Sequence, residues 1–298
     1  VELHPDAAEY ISLAGQVNAY DYRIGSVAKV GGSYGMLMTD ILPARDDQGQ
    51  VLLNYSDTRR AVYERRSGVV QELGDMQPDF LGSMSTSLRW KNLSLHVGLD
   101  MRIGGLVAMY SNRYGSNAGW TKTSLKYRDA ASGGLTWTSQ YAGGSNGITY
   151  EDGVILEGVF APGTSATGID GKSHDISGMT HQQAIDAGII EPTHASAYHV
   201  FRNSWGEGVV NDDWVHELSY IALRDITLSY RMPKSIASKI GAKGLNLSLA
   251  ARNVGYIYNS LPNNVHPESV RGNRSAEFRI RGYEPYIRNY TFTINAEF

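Results

Sequence analysis

Between Leu93 and Ile103 the sequence alternates without an exception: Leu93, Leu95, Val97, Leu99, Met101 and Ile103 are apolar, and Ser94, His96, Gly98, Asp100 and Arg102 lie between them. A helix cannot use this pattern, because period two scatters apolar side chains around a 3.6-residue turn. An extended strand gathers them on one face. Just upstream, Phe80, Met84, Leu88 and Trp90 share one face while Asp79, Ser83, Ser85, Ser87 and Arg89 share the other. The Lys91-Asn92 link between the two runs is too short for anything but a tight hairpin.

Three more segments follow the same period. From about Glu284 to the terminal Phe298, the residues Tyr290, Phe292, Ile294, Ala296 and Phe298 alternate with Asn289, Thr291, Thr293, Asn295 and Glu297. From Leu218 to Met232 the even positions are mostly apolar, but Arg224 interrupts that face while Ile221 and Leu223 enrich the other, so a mixed strand is expected. From Leu245 to Ala251 the odd positions are apolar and the pattern shifts by one at Val254 and Tyr256, as a β-bulge would cause. Between these two strands Pro233 is placed to open a short helical turn that Gly241 closes.

With 33 Gly, 19 Tyr, 5 Trp and only 19% charged residues, the composition favours strands and turns. The absence of Cys excludes a disulfide framework and any thiolate site. A net charge of -3 with no run of Lys or Arg gives no nucleic-acid footprint. No stretch reaches the ~20 apolar residues of a membrane helix, but barrel strands show lipid only at every second residue and escape that test. The chain begins at Val1 inside a strand-like segment with no secretory leader, which is expected of a fragment or a processed product.

The connections are unequal. Lys91-Asn92 and the link from Pro233 to Gly244 are short, whereas residues 104–213, 257–283 and everything before Asp79 are long and rich in Gly, Ser and Asn. Strand parity puts the short links at one end of the sheet and the long ones at the other. Outer-membrane barrels have that asymmetry. A soluble β-sandwich also alternates, but these strands run ~11–15 residues, beyond the ~5–6 of soluble sheets. Aromatics such as Trp90, Tyr230 and Phe298 fall near strand ends, as in an interfacial girdle. The expected fold is therefore all-β, part of a large antiparallel transmembrane β-barrel with long extracellular loops. It divides into an extracellular loop region with short strands (1–78), a membrane hairpin (79–104), a large extracellular loop (105–213) and C-terminal barrel strands (214–298). Within the large loop, the Thr180…Gln183 capping box and Gly188 bracket a small helix from Thr180 to Ala187.

At this point the sequence resembles the C-terminal region of the SusC/RagA-type TonB-linked outer-membrane transporters. The residues that carry the resemblance are Leu223-Arg224-Asp225-Ile226-Thr227-Leu228-Ser229-Tyr230 leading into Met232-Pro233, then Ala251-Arg252-Asn253 and Gly74-Asp75-Met76-Gln77-Pro78-Asp79-Phe80-Leu81-Gly82. The Trp90-Lys91-Asn92-Leu93 turn, the glycine-rich Val30-Gly31-Gly32-Ser33-Tyr34-Gly35 and the aromatic C-terminal strand add to it. The resemblance implies a Gram-negative cell outer membrane location and the C-terminal barrel section of a TonB-dependent importer of large nutrients, oligosaccharides or peptides. It implies as partners the plug and remaining barrel of the same transporter, a SusD-type surface lipoprotein, the TonB complex reached through the N-terminal part, and outer-membrane lipid. About five membrane strands are legible here, below the minimum of about 8 for a bacterial barrel, so strands from elsewhere must complete the wall. Tyr290, Phe292, Ile294, Ala296 and Phe298 resemble a barrel-assembly signal. The alternative reading is a soluble extracellular glycan-binding β-sandwich, with a secreted β-sandwich hydrolase behind it.

No covalent chemistry or cofactor is expected. Gly171-Lys172-Ser173 lacks the first glycine of a phosphate-cradling loop, since position 166 is Ala. His174, His181, His194 and His199 have no metal-ligand spacing. Glu151 and Asp152 are adjacent and read as a solvated turn, because neighbours on a strand point to opposite faces and make a poor acid–base pair. Asp46, Asp47 and Gly49 read as turn formers. Tyr110, Tyr114, Trp120, Trp137, Tyr141 and Tyr150 are candidate substrate-contacting loop aromatics, because exposed rings stack on sugars or clamp peptides, although they also pin loops together.

Overall fold

The computed structural model describes residues 9–17, 23–56, 58–66, 69–141, 145–203, 211–270, 276–282 and 285–298. The chain divides into two compact units that interleave in sequence, one built from Val1–Gly74, Ala108–Val215 and Arg271–Arg281, the other from Asp75–Val107, His216–Val270 and Gly282–Phe298.

The second unit is a five-stranded antiparallel sheet: β1 (Phe80–Trp90), β2 (Leu93–Ile103), β3 (Tyr220–Arg231), β4 (Gly244–Asn259) and β5 (Asn289–Glu297), hydrogen-bonded in the order β5-β4-β3-β2-β1. All five segments read as strands in the sequence are strands. The hairpin at Lys91-Asn92 closes on a Trp90–Leu93 pair, with Lys91 at φ 51°, the left-handed conformation that two-residue loops use. Pro233 caps the turn Lys234–Ala237, and Gly241 ends it at φ 75°.

Register shows how the alternation is used. Leu88, Leu95, Leu228, Leu249 and Phe292 stand opposite one another in a single row across all five strands. One step along, Ser87, His96, Thr227, Ala250 and Thr291 form the row of the other face. The apolar row is not covered: Leu88 is 61% and Phe292 63% exposed. Each such side chain left in water forfeits roughly 1.5–3 kcal/mol of burial. Among the described residues no strand pairs with the outer edges of β1 and β5.

The mixed strand has a physical explanation. Gly98 pairs with Asp225 and Leu99 with Leu223, which leaves Arg224 as the extra residue of a bulge. The bulge reverses parity, so Ile221 and Leu223 join the apolar face and Tyr220 and Ala222 turn to the polar one. The expectation of a mixed face is thereby corrected: two clean half-strands are joined out of phase. On β4, Asp225 pairs with Arg252 and Leu223 with Gly255, so Asn253 and Val254 bulge as expected, with Asn253 at φ 52°. A second shift leaves Ile257 unpaired between Tyr256 and Tyr258.

The Asn253 bulge also shortens β5. Its pairing with β4 ends at Arg252–Asn289, so the last strand begins at Asn289 and not near Glu284, which lies outside the described residues. Pro285, with no N–H to donate, precedes the ladder. The released Arg224 guanidinium donates through Nε to Asp100 (2.5 Å) and through Nη1 and Nη2 to both oxygens of Glu268 (2.8 and 2.6 Å). Tyr256 Oη donates to the same carboxylate at 2.7 Å, fastening part of the β4–β5 connection to the strands.

The first unit has its own core. Leu53, Phe160, Ile176, Ala184 and Ile190 are fully buried in one cluster, with Tyr63, Tyr127 and Tyr198 packed against it. Around it lie short sheets. One holds Leu52–Ser56 between Val159–Phe160 and Arg60–Tyr63; another holds Thr149–Val154 between Leu135–Thr138 and Thr193–His194. The helix His181–Asp186 carries the expected capping box: Thr180 Oγ1 accepts from Gln183 N, and Gln183 Oε1 accepts from Thr180 N. Among the described residues no helix is long and apolar enough to cross a membrane, which says nothing about strands.

Candidate functional site

The six loop aromatics separate into four kinds of environment. Tyr110 is 3% exposed, edge-on to Trp214 at 4.9 Å and under the Arg281 guanidinium at 5.7 Å. It belongs to the packing of its unit and presents no face to solvent. Tyr141 lies between, its hydroxyl 3.0 Å from that of Tyr55 and its ring under the Arg59 guanidinium at 4.7 Å. Burial pushes both the Tyr55 and the Tyr141 hydroxyl above the usual phenol value, so both rings stay neutral at physiological pH and one hydroxyl donates to the other. Trp120, at 84%, and Tyr114 are exposed.

Trp137 and Tyr150 come together. They face each other across the Leu135–Thr138 and Thr149–Val154 pair, stacked at 5.1 Å with an interplanar angle of 29°. His194 packs against both, at 5.1 Å from Trp137 and 4.7 Å from Tyr150. Its Nδ1 is held 3.1 Å from Asp152 Oδ1. This geometry depends on Gly153: a Cβ there would sit 2.8 Å from Trp137 Cδ1, 3.0 Å from Leu135 O and 3.1 Å from Pro192 Cβ.

Asp152 links this cluster to a cleft of about 410 Å³, which is lined by Ser116, Asn117, Gly119, Arg128, Asp152, Ser196 and His199 together with Ala118, Ala195 and Val200. The volume falls in the ~300–1,000 Å³ range of small-ligand sites. The helices Tyr110–Asn117 and Ala195–Asn203 supply most of the wall. His199 Nε2 is 2.8 Å from the carbonyl of Lys126, and Arg128 donates to Ser124 O at 2.8 Å and to Gly119 O at 3.2 Å. Gly119 is needed under that guanidinium, because it takes φ 79° and a Cβ would meet Arg128 Nη2 at 2.6 Å.

The residues weighed for other chemistry are dispersed. Glu151 and Asp152 lie on the strand Thr149–Val154 and not in a turn, a correction to the sequence reading. They do point to opposite faces, with Glu151 exposed and Asp152 partly buried. His174 pairs with Asp170 at 2.8 Å, whereas His181 is fully buried. Asp46 Oδ1 accepts from Gln48 N and Gln50 N, and Gly49 takes φ 81°, as a turn requires. Gly171 and Lys172 form the turn between Ser165–Thr167 and Ser173–Asp175. Among the described residues no three His, Asp or Glu side chains gather in a way that would hold a metal. Arg128, Ser196 and His199 as a cleft carry no sequence signal. Asp152 and His194 meet only because strands 42 residues apart pair.

The aromatic C-terminal strand sits where its alternation puts it. Tyr290, Phe292, Ile294 and Ala296 pair with Ala251, Leu249, Leu247 and Leu245, and the carbonyl of Phe298 accepts from Lys243 Nζ at 2.8 Å.

No family model matches the sequence, and no curated protein does either. Among solved structures 16 chains match. A chain of the RagAB peptide importer in its open-open state is similar over 100% of this chain and 25% of its own length, at 14% identity and a TM-score of 0.50. Chains of the same importer in the closed-closed state and of the RagAB peptide transporter match over 93% and 94% of this chain, at 14% and 13% identity and TM-scores of 0.46. This chain spans about a quarter of the length of the chains it matches. The likeness shows the fold, which is all-β with mostly antiparallel sheets, as in a section of a large barrel.

Proposed function

We propose that this chain is the C-terminal barrel section of a TonB-dependent outer-membrane importer of large nutrients, oligosaccharides or peptides, that works with a SusD-type surface lipoprotein. One observation carries the reading: among the described residues, the five-stranded sheet has an uncovered apolar face and two unpaired outer edges. Backbone groups on such edges cannot stay unpaired in lipid, so neighbouring strands of the same transporter close the wall. The likeness to chains of a peptide importer supports the same role. A soluble sandwich would bury the row from Leu88 to Phe292 under a second sheet, so the exposure of that row favours the barrel.

On this reading the chain performs no covalent chemistry. The first unit helps shape the outer cavity where cargo and lipoprotein meet, and the sheet provides wall. The test is uptake by the native host. Cells carrying the intact gene should accumulate labelled oligopeptides or oligosaccharides. Uptake should collapse on deletion of residues 79–298 or on addition of a protonophore. Uptake unchanged by both treatments would sink the proposal.

A further inference from the structure

We infer that the cleft between the helices Tyr110–Asn117 and Ala195–Asn203 is a carboxylate-recognition pocket, with Arg128 as its anion-binding residue. This rests on the importer reading and sharpens it, because it assigns part of the first unit to a ligand that carries a carboxylate and not to a neutral sugar.

Arg128 lines the cleft, and among the described residues its contacts are carbonyls only: Nε to Ser124 O and Nη2 to Gly119 O. Carbonyls orient a guanidinium without neutralising it. Two of its five N–H groups are used in this way, which leaves Nη1 and one N–H of Nη2, the end-on fork that matches a carboxylate bidentately. Gly119 at φ 79° lets the guanidinium lie against the turn, so its position is set before any ligand arrives. Ser196 lines the same cleft with a hydroxyl donor, and Ala195 and Ser196 open a helix whose dipole adds to the attraction for an anion.

Asp152 also lines the cleft and makes no ion pair with Arg128 within 4 Å; its described partner is His194. A pocket with a fixed cation and a separate carboxylate suits a ligand end that presents a carboxylate next to an N–H, as the last residue of a peptide does. Trp120, next in sequence to the lining Gly119, is 84% exposed and offers a ring face to a ligand side chain.

The experiment uses the full-length transporter with its lipoprotein partner in detergent, and measures binding by calorimetry. The probes are neutral-side-chain octapeptides as free acids, the same peptides C-terminally amidated, amidated peptides carrying one Glu, and a neutral oligosaccharide. The free acids should bind at least about 10-fold tighter than the amidated neutral set, as expected for one charge-assisted bidentate contact. Arg128→Gln should abolish that preference, and Arg128→Lys should keep part of it. Ser196→Trp, which fills the cleft from an exposed position without changing charge, should also abolish it. Tight binding of the amidated Glu peptides would extend the pocket to acidic side chains; weak binding would restrict it to the chain terminus.

Equal binding of free and amidated peptides by the unmodified protein, or a preference that survives Arg128→Gln, would overturn the inference. Binding of the oligosaccharide alone would overturn it while leaving the importer reading intact, since that reading is tested separately by the loss of cellular uptake on deletion of residues 79–298.

Discussion

His181 shows how much a single side chain is held to one protonation state. It is fully buried beside Phe160, and its Nδ1 accepts from the Leu156 N–H at 3.0 Å, so that nitrogen must stay unprotonated. Burial pushes its pKa down from 6.5 to about 4. Between those values the unfolded chain takes up a proton that the folded chain refuses, so stability is complete above pH 6.5 and is lost as pH falls toward 4. A shift of this size is worth roughly 3 kcal/mol. Protection factors of the amides in residues 154–190, corrected for the intrinsic exchange rate, should therefore fall on acidification through this window. His181→Gln should be less protected at pH 7.5 and nearly flat across it; an equally steep response in the variant would refute the linkage. Sequence could not have singled out His181 among the loop histidines, because its burial comes from a core assembled out of Leu53, Phe160 and Ile190, residues far apart in the chain.

The strands were legible as elements because alternation is a local code that survives whatever the sheet packs against. The run Leu93–Ile103 matches the observed strand to the residue, and the run read from Asp79 to Trp90 matches but for its first residue. Bulges obscured the rest. Arg224 made one strand appear two-faced, and Asn253 ended β5 early, since a bulge is written in the partner's register as much as in its own sequence. Deleting Arg224 should therefore do more than remove a charge. It would close the bulge while leaving Leu223 opposite Leu99 and Ile221 opposite Met101, so both faces persist without the extra residue. Heat-modifiable gel mobility should show assembly largely kept both in the deletion and in Arg224→Gln, because neither changes which side chains face the apolar side. Loss of assembly in the deletion alone would mean that Arg224 is not a simple extra residue of the ladder. The aromatic stack lay beyond such reading: alternation identifies neither partner of Trp137, and the role of Gly153 is visible only once three short strands meet.

For the molecule as a whole, the sequence places the barrel wall well and the remaining residues poorly. What reads as connection along residues 105–213 contains a buried core, because short strands of two to six residues carry too little periodicity to be seen. The uncovered apolar face leads to a direct expectation: the purified native chain should be monodisperse only in detergent or lipid, as judged by size-exclusion with light scattering. Monodispersity in plain buffer would end the barrel reading. On the proposed barrel reading, the outer edges of β1 and β5, bare among the described residues, also bear on the life of the polypeptide before it reaches a membrane. A half-formed sheet with open ladders is a template for pairing with its own copies. In aqueous transit this segment is therefore best kept unfolded on a holdase and folded only where its neighbours are at hand, which makes the timing of closure, more than the final stability, the step at which such a chain is won or lost to aggregation.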